Sequence, residues 1–261
     1  MTFIKNLFIG KMAMQSFFER LHRISLRGMN YGLGGIIDTS GEKNLLKLVN
    51  FELKNIESPI LFDVGANDGK YIEEMCSVFI RNTPVIYGFE PSKFTYEKLV
   101  KKFENDPNIH LKQIGLAANK GEMQLYYNEQ GSGWASLYER QVSEFNKGLS
   151  QSEVVSLDTL DNFCLANDID HVDFMKIDVE GHELEVLKGG KETLKNIRFI
   201  QFEFSFANYD SRTFMKDFFE ILNDFKIYRI LQNGIRELSY DPRYEIMMTT
   251  NFLAINQAFK G

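Results

Sequence analysis

Five ionisable side chains crowd the eight residues from Lys176 to Glu183 in the run MKIDVEGHE: Lys176, Asp178, Glu180, His182 and Glu183. If the apolar residues before them form a buried strand, Asp178 and Glu180 leave its carboxyl end together, where neighbouring charges shift proton affinities as catalytic groups require. Glu183 and Glu185 read instead as the start of a helix, where acids favour the dipole. Asp178, Glu180 or His182 is placed to take a proton from a substrate group. Asp178 and Glu180, with Glu203 from a later FEF, are also an oxygen-donor set that Mg2+ would accept.

A second constellation has a different chemistry. The run ILFDVGANDG ends in Asp63, Gly65, Asn67 and Gly69, and a further apolar run, VIYGFEP, ends in Glu90, 27 residues after Asp63. A strand, a glycine turn and a helix N-terminus offer backbone N–H groups to a ligand, and a carboxylate on the next strand takes ribose hydroxyls. Gly65 and Gly69 have three residues between them. A dinucleotide turn needs a third glycine beside the pyrophosphate, and no P-loop lysine follows. The pocket therefore suits a nucleoside without a phosphate chain. An oxidoreductase would have to hold its dinucleotide without that glycine, and a non-catalytic nucleoside-binding scaffold is the other reading.

The elements that must position these groups alternate. Strands are expected at 60–64, 85–90, 109–116, 172–178 and 199–206, with helices at 69–80, 92–105, 157–167, 183–196 and 211–224, which gives an α/β fold with a parallel sheet. Tyr228 to Gln232 and Phe252 to Asn256 are expected as a final antiparallel pair at the sheet edge. Residues 121–156 break the rhythm and read as a substrate-loop insertion, with Trp134, Ser136 and Tyr138 placed to close over or stack on a bound ring. The expected division is an N-terminal helical extension, 1–50, and a catalytic domain, 51–261.

Composition narrows the classes. A net charge of -6 argues against nucleic-acid binding, which needs a basic face. Cys76 and Cys164 make no metal spacing and point to a reducing compartment. No signal peptide is apparent, and no apolar run approaches the ~20 residues of a membrane span. Residues 1–48 carry seven Lys or Arg against three acids. With Phe3, Ile4, Leu7, Phe8, Met12, Met14, Phe17 and Phe18 among them, they fit amphipathic helices that either cover the domain or meet a membrane surface or partner.

Read together, DVGANDG, GFEP, V-x-x-L-D-x-L (Val154 to Leu160), DFMKIDVEGHELEVLKGG and FIQFEFSF resemble the FkbM family of S-adenosylmethionine-dependent methyltransferases, from about Pro59 to Phe206. The resemblance implies a Rossmann-like class I methyltransferase fold: a seven-stranded, mostly parallel sheet with helices on both faces. It implies methylation of a hydroxyl on a sugar or natural-product scaffold. Asp63, Gly65, Asn67 and Gly69 match the cofactor turn, Glu90 the ribose carboxylate, and Asp178 with Glu180 the motif at the methyl-transfer end. Where the family's third strand closes in N-x-A-L beside the adenine, this chain has Gln113, Ile114, Gly115 and Leu116. The expectation is a cytoplasmic O-methyltransferase, at the inner face of the membrane if its N-terminal helices touch lipid. Its acceptor is a sugar of a surface polysaccharide or glycolipid precursor, with a polyketide- or aminoglycoside-type metabolite as the alternative.

Overall fold

The computed structural model describes residues 8–131, 135–138 and 151–259, so the expectation for Trp134 lies outside the described residues. Helices α1 (Gln15–Gly28), α2 (Ile37–Ser40) and α3 (Glu42–Glu52) precede the alternating part. That part runs β1 (Ile60–Val64), α4 (Lys70–Val78), β2 (Val85–Phe89), α5 (Lys93–Phe103), β3 (Ile109–Lys112), β4 (Gly115–Leu116), β5 (Gly121–Tyr127) and β6 (Gln151–Asp158). It continues with α6 (Leu160–Ala166), β7 (Val172–Ile177), α7 (Glu183–Lys188), β8 (Ile197–Phe204), α8 (Ala207–Asp210), α9 (Met215–Ile221), β9 (Phe225–Leu231), β10 (Gly234–Leu238) and β11 (Thr250–Asn256).

The main sheet has eight strands in the order β10-β9-β11-β8-β7-β1-β2-β3. Strands β3, β2, β1, β7 and β8 are parallel, and β11, β9 and β10 are antiparallel to their neighbours. The fold is the expected Rossmann-like α/β arrangement with one strand more than seven. The extra strand is β10, which returns from β9 through a tight turn and makes the edge that the sequence reading gave to the 228–232 and 252–256 pair. Its sequence, GIREL, is too charged and short to announce a strand.

Alternating side chains of the central strands enter two separate cores. Phe62 and Met175 join the cluster that includes Leu160, Phe163, Leu184, Leu187, Met215 and Phe218, so α6, α7 and α9 cover that face. Leu61 and Phe174 join Leu45, Leu46, Val49, Tyr71, Ile72, Met75 and Leu99, so α3, α4 and α5 cover the other. The period of two in each strand is what sends neighbouring residues to opposite faces.

Local lengths differ from expectation for identifiable reasons. The strand expected at 109–116 stops at Lys112, and Gly115–Leu116 pairs instead with β6 in a separate sheet, β4-β6-β5. Its strands β5 and β6 come from the 121–156 region, and the sheet contributes a third small core that includes Leu125, Leu137, Val155 and Leu157. The helix expected over 183–196 ends at Lys188, and Gly189 and Gly190 beyond it pack against Ala117 and Leu160 where a Cβ would not fit.

Candidate active site

The loops after β1, β2 and β7 meet at the carboxyl end of the sheet, where open α/β sheets bind ligands. Gly65 sits at φ +88°, and a Cβ there would collide with the carbonyl oxygen of Asp178. The turn after β1 and the loop after β7 are therefore in backbone contact, with Asp178 N donating to the Val64 carbonyl at 2.9 Å. Gly65→Ala is expected to cost about 1–3 kcal/mol from the backbone conformation alone. A denaturant melt will read that loss, with cofactor binding weakened in the same variant.

Glu90 organises the first cavity. Its Oε2 accepts from Asn67 N at 3.0 Å and its Oε1 from Ser92 N at 2.9 Å. A carboxylate has about four acceptor positions, so lone pairs remain for two further donors. Around it lies a cavity of about 320 Å³ whose lining includes Val64, Phe89, Leu116, Leu125 and Leu137 with Gly65, Asn67, Gly115, Asp178 and Glu180. Apolar walls for a base, a close-approach glycine and a buried carboxylate for vicinal hydroxyls are the features an adenosine needs.

Burial pushes the Glu90 carboxyl up to about 7, although the two N–H groups oppose the shift. With its folded value above the ordinary 4.5, Glu90 stabilises the fold fully below pH 4.5 and loses that contribution as pH rises through about 7. Comparing melting temperatures of the ligand-free protein at pH 5 and pH 8 tests this. Glu90→Gln should show a smaller drop than the parent over that interval.

A second cavity, of about 860 Å³, shares the wall made by Gly65, Asn67, Gly131, Asp178 and Glu180 with the first. Its other residues include Asp38, Glu42, Tyr71, Lys176, Glu203 and Phe206. Lys176 Nζ lies 3.1 Å from Asp178 Oδ2 and 3.7 Å from Asp63 Oδ1, and 4.8 Å from the centre of the Tyr71 ring. Burial alone would weaken its hold on a proton, but the charges of Asp178, Asp63 and Glu42 outweigh that and hold the ammonium charged well above the ordinary lysine range. Beyond it, Tyr71 Oη donates to Gln201 Oε1 at 2.5 Å and Gln201 Nε2 donates to Glu42 Oε1 at 2.6 Å. Glu42 also accepts from Ser40 Oγ at 2.7 Å, so this polar layer draws on both sides of the expected boundary at residue 50.

The loop after β7 is held by Glu183, whose Oε1 accepts from Val179 N and Gly181 N, each at 3.1 Å. Its role is thus tighter than a helix-start acid. Glu180 has φ +54°, and Asp178 and Glu180 line the same two cavities. Glu203 is buried, and that burial, with the charges of Asp178, Glu180 and Glu183, raises its carboxyl well above the usual range.

The magnesium expectation finds no support here. Among the described residues no three His, Cys, Asp or Glu side chains are placed to hold a metal ion. Asp178 already faces the Lys176 ammonium.

The other expected residues divide by position. Gly65, Asn67, Glu90, Gly115, Leu116 and Asp178 line the first cavity, whereas Asp63 and Gly69 lie behind it. Asp63 is fully buried beneath the turn as the partner of Lys176, and Gly69 packs on Leu99 and Phe103 of α5. His182 lines the first cavity and not the second. Its Nδ1 is 3.1 Å from Tyr138 Oη, and burial lowers its affinity for a proton to about 4, so the ring is neutral near pH 7. Ser136 Oγ donates to the Glu180 carbonyl at 2.8 Å, so Ser136 and Tyr138 brace the β7 loop, while their neighbours Ala135 and Leu137 face the cavity. Glu42, Tyr71 and Gln201 had no motif to announce them, because each reaches the site only through tertiary packing.

The chain is similar to proteins described as methyltransferases. The family model described as a methyltransferase FkbM domain matches residues 63–234. The hexuronic acid methyltransferase AglP of Haloferax volcanii is 26% identical over 212 residues, 81% of this chain and 78% of that protein. The 2-O-methyltransferase NoeI of Sinorhizobium fredii is 23% identical over 188 residues, 68% of this chain and 76% of that one. Among solved structures, the methyltransferase FkbM from Methylobacillus flagellatus aligns at a TM-score of 0.47 and 16% identity over 76% of this chain, which spans 44% of that longer one. An O-methyltransferase from Bacillus cereus in complex with SAH aligns at a TM-score of 0.44 and 10% identity, over 98% of this chain and 96% of the other.

Proposed function

The chain belongs to the FkbM methyltransferase family, and from that premise we propose that this S-adenosylmethionine-dependent O-methyltransferase acts on a hydroxyl of a sugar. The observation that carries the reading is the pair of cavities meeting at the Asp178 and Glu180 wall, one built for a nucleoside and the other lined by polar groups. The names of the two relatives support it, since one modifies a hexuronic acid and the other is a 2-O-methyltransferase. A surface polysaccharide or glycolipid precursor is the acceptor we favour over a secondary metabolite. An array of carboxylates with the Asn67 amide hydrogen-bonds a polyhydroxylated ring better than it accommodates an apolar polyketide.

The bound cofactor would supply an electrophilic methyl on a sulfonium. Glu90 would take the ribose hydroxyls, Gly115 and Leu116 would border the base, and Gly65 and Asn67 would let the backbone approach. The protein's share of the chemistry is then to orient the acceptor oxygen, keep water out and receive its proton. Asp178 stands on the shared wall with its carboxylate fixed by Lys176, so we assign it the proton, with Glu180 beside it to position the sugar. His182 belongs to the nucleoside side and is a bordering group in this scheme.

Mass spectrometry of acceptors incubated with protein and S-adenosylmethionine tests the proposal. We expect a 14 Da gain on oligosaccharide acceptors and none on polyketide scaffolds. Binding of NAD with no binding of S-adenosylhomocysteine would overturn it.

A further inference from the structure

Helix α1 is amphipathic, yet it does not cover the domain. Every residue from Gln15 to Ser25 is exposed, and Leu26 is the helix's one buried residue. Phe17, Phe18, Leu21 and Ile24 are 56%, 37%, 47% and 61% exposed. At about 100° per residue these four span roughly 120° of the helix, and Leu26 falls nearly opposite their centre. The apolar stripe therefore points away from the body of the protein. Phe8, Ile9 and Met12, just before the helix, are exposed as well. Asn30, just after it, ties the chain to the domain by donating to the carbonyls of Ser40 and Ile230 at 2.8 and 3.0 Å.

Charge says what the stripe meets. Arg20, Arg23 and Arg27 share one flank of it, with Lys11 nearby and Glu19 the one acid between residues 8 and 28. A local charge of +3 on a chain of net -6 is a concentrated reversal of sign. A second copy of the helix is a poor occupant. The stripe covers fewer than two heptads and pairing would crowd the arginines, whereas coiled-coil seams need three or four heptads. Arginines beside an apolar stripe of this width match an anionic bilayer surface, where aromatic and aliphatic side chains sink into the boundary and guanidiniums meet lipid phosphates.

We propose that α1 docks the protein onto an anionic membrane surface, with Phe17, Phe18, Leu21 and Ile24 inserted and Arg20, Arg23 and Arg27 on the headgroups. The residues that follow, Gly34 to Asp38, line the second cavity, so docking sets that cleft close to the bilayer. The docking itself does not depend on the identity of the acceptor.

Sedimentation of the full chain with vesicles tests it, using phosphatidylcholine alone and phosphatidylcholine containing one third phosphatidylglycerol, by mole. Partitioning onto the anionic vesicles should exceed that onto neutral ones by about a hundredfold, given roughly a fivefold gain per basic residue near the surface. The double variant Leu21→Glu, Ile24→Glu should lose at least tenfold of this, and 0.5 M salt should weaken it. Both side chains are exposed and outside the two cavities, so S-adenosylhomocysteine affinity in the variant reports that it is folded. Absence of binding to the anionic vesicles would overturn the proposal, as would binding unchanged in the folded variant. A concentration-dependent dimer that the variant abolishes, with no vesicle binding, would assign the stripe to self-association instead.

Discussion

Glu90→Ala is expected to raise the dissociation constant of S-adenosylhomocysteine by about a hundredfold or more while leaving the protein folded. A hydrogen bond to a charged partner contributes roughly 1.5–3 kcal/mol, and each 1.4 kcal/mol is tenfold. Two ribose hydroxyls on one carboxylate thus account for a loss of about 3 kcal/mol or more. The same carboxylate holds Asn67 N and Ser92 N, so its removal also loosens the turn that approaches the ligand. Relief of the buried charge works the other way on stability: without a carboxyl pushed up to about 7, the ligand-free fold should hold at neutral pH. Isothermal titration together with a thermal melt separates the two effects. Unchanged affinity would place the nucleoside somewhere other than the first cavity.

The sequence announced those parts of the molecule whose chemistry is local. The turn after β1 and the acid after β2 were legible because a glycine at positive φ and a strand-end carboxylate are short-range requirements, and Gly65 and Glu90 meet them. The alternation of central strands and helices was legible because fully buried strands read as continuous apolar runs. What escaped depends on neighbours distant in the chain. Asp63 looks like a ligand residue, yet Lys176, 113 residues later, draws it under the turn as an ion-pair partner. Glu42 looks like an ordinary first-turn acid until Gln201 and Ser40 enclose it. Gly115 and Leu116 read as the end of β3, and only pairing with β6 reveals the second sheet that closes over the first cavity. The cover-or-dock alternative for the N-terminus needed the exposure of α1, since an amphipathic pattern does not say which way its stripe faces.

Asp178→Asn should lower kcat by about 10²–10⁴-fold, the usual contribution of a general base, with S-adenosylhomocysteine affinity within a few-fold of the parent. Asparagine keeps the volume of the side chain and an oxygen that can still accept from Lys176 Nζ, now 3.1 Å from Oδ2. The geometry of the β7 loop should persist, because Glu183 clamps it through Val179 N and Gly181 N and the Asp178 N to Val64 O bond is unaffected. What disappears is the capacity to receive a proton. Glu180→Gln serves as the comparison: a group that only positions the acceptor should raise KM more than it lowers kcat. If the two variants exchange these signatures, the proton goes to Glu180. If neither lowers kcat in a protein that still binds S-adenosylhomocysteine, proton removal falls to solvent or to the acceptor itself. The enzyme would then work by alignment of the two cavities alone, which effective molarities of well-oriented reactants make chemically sufficient for an activated methyl.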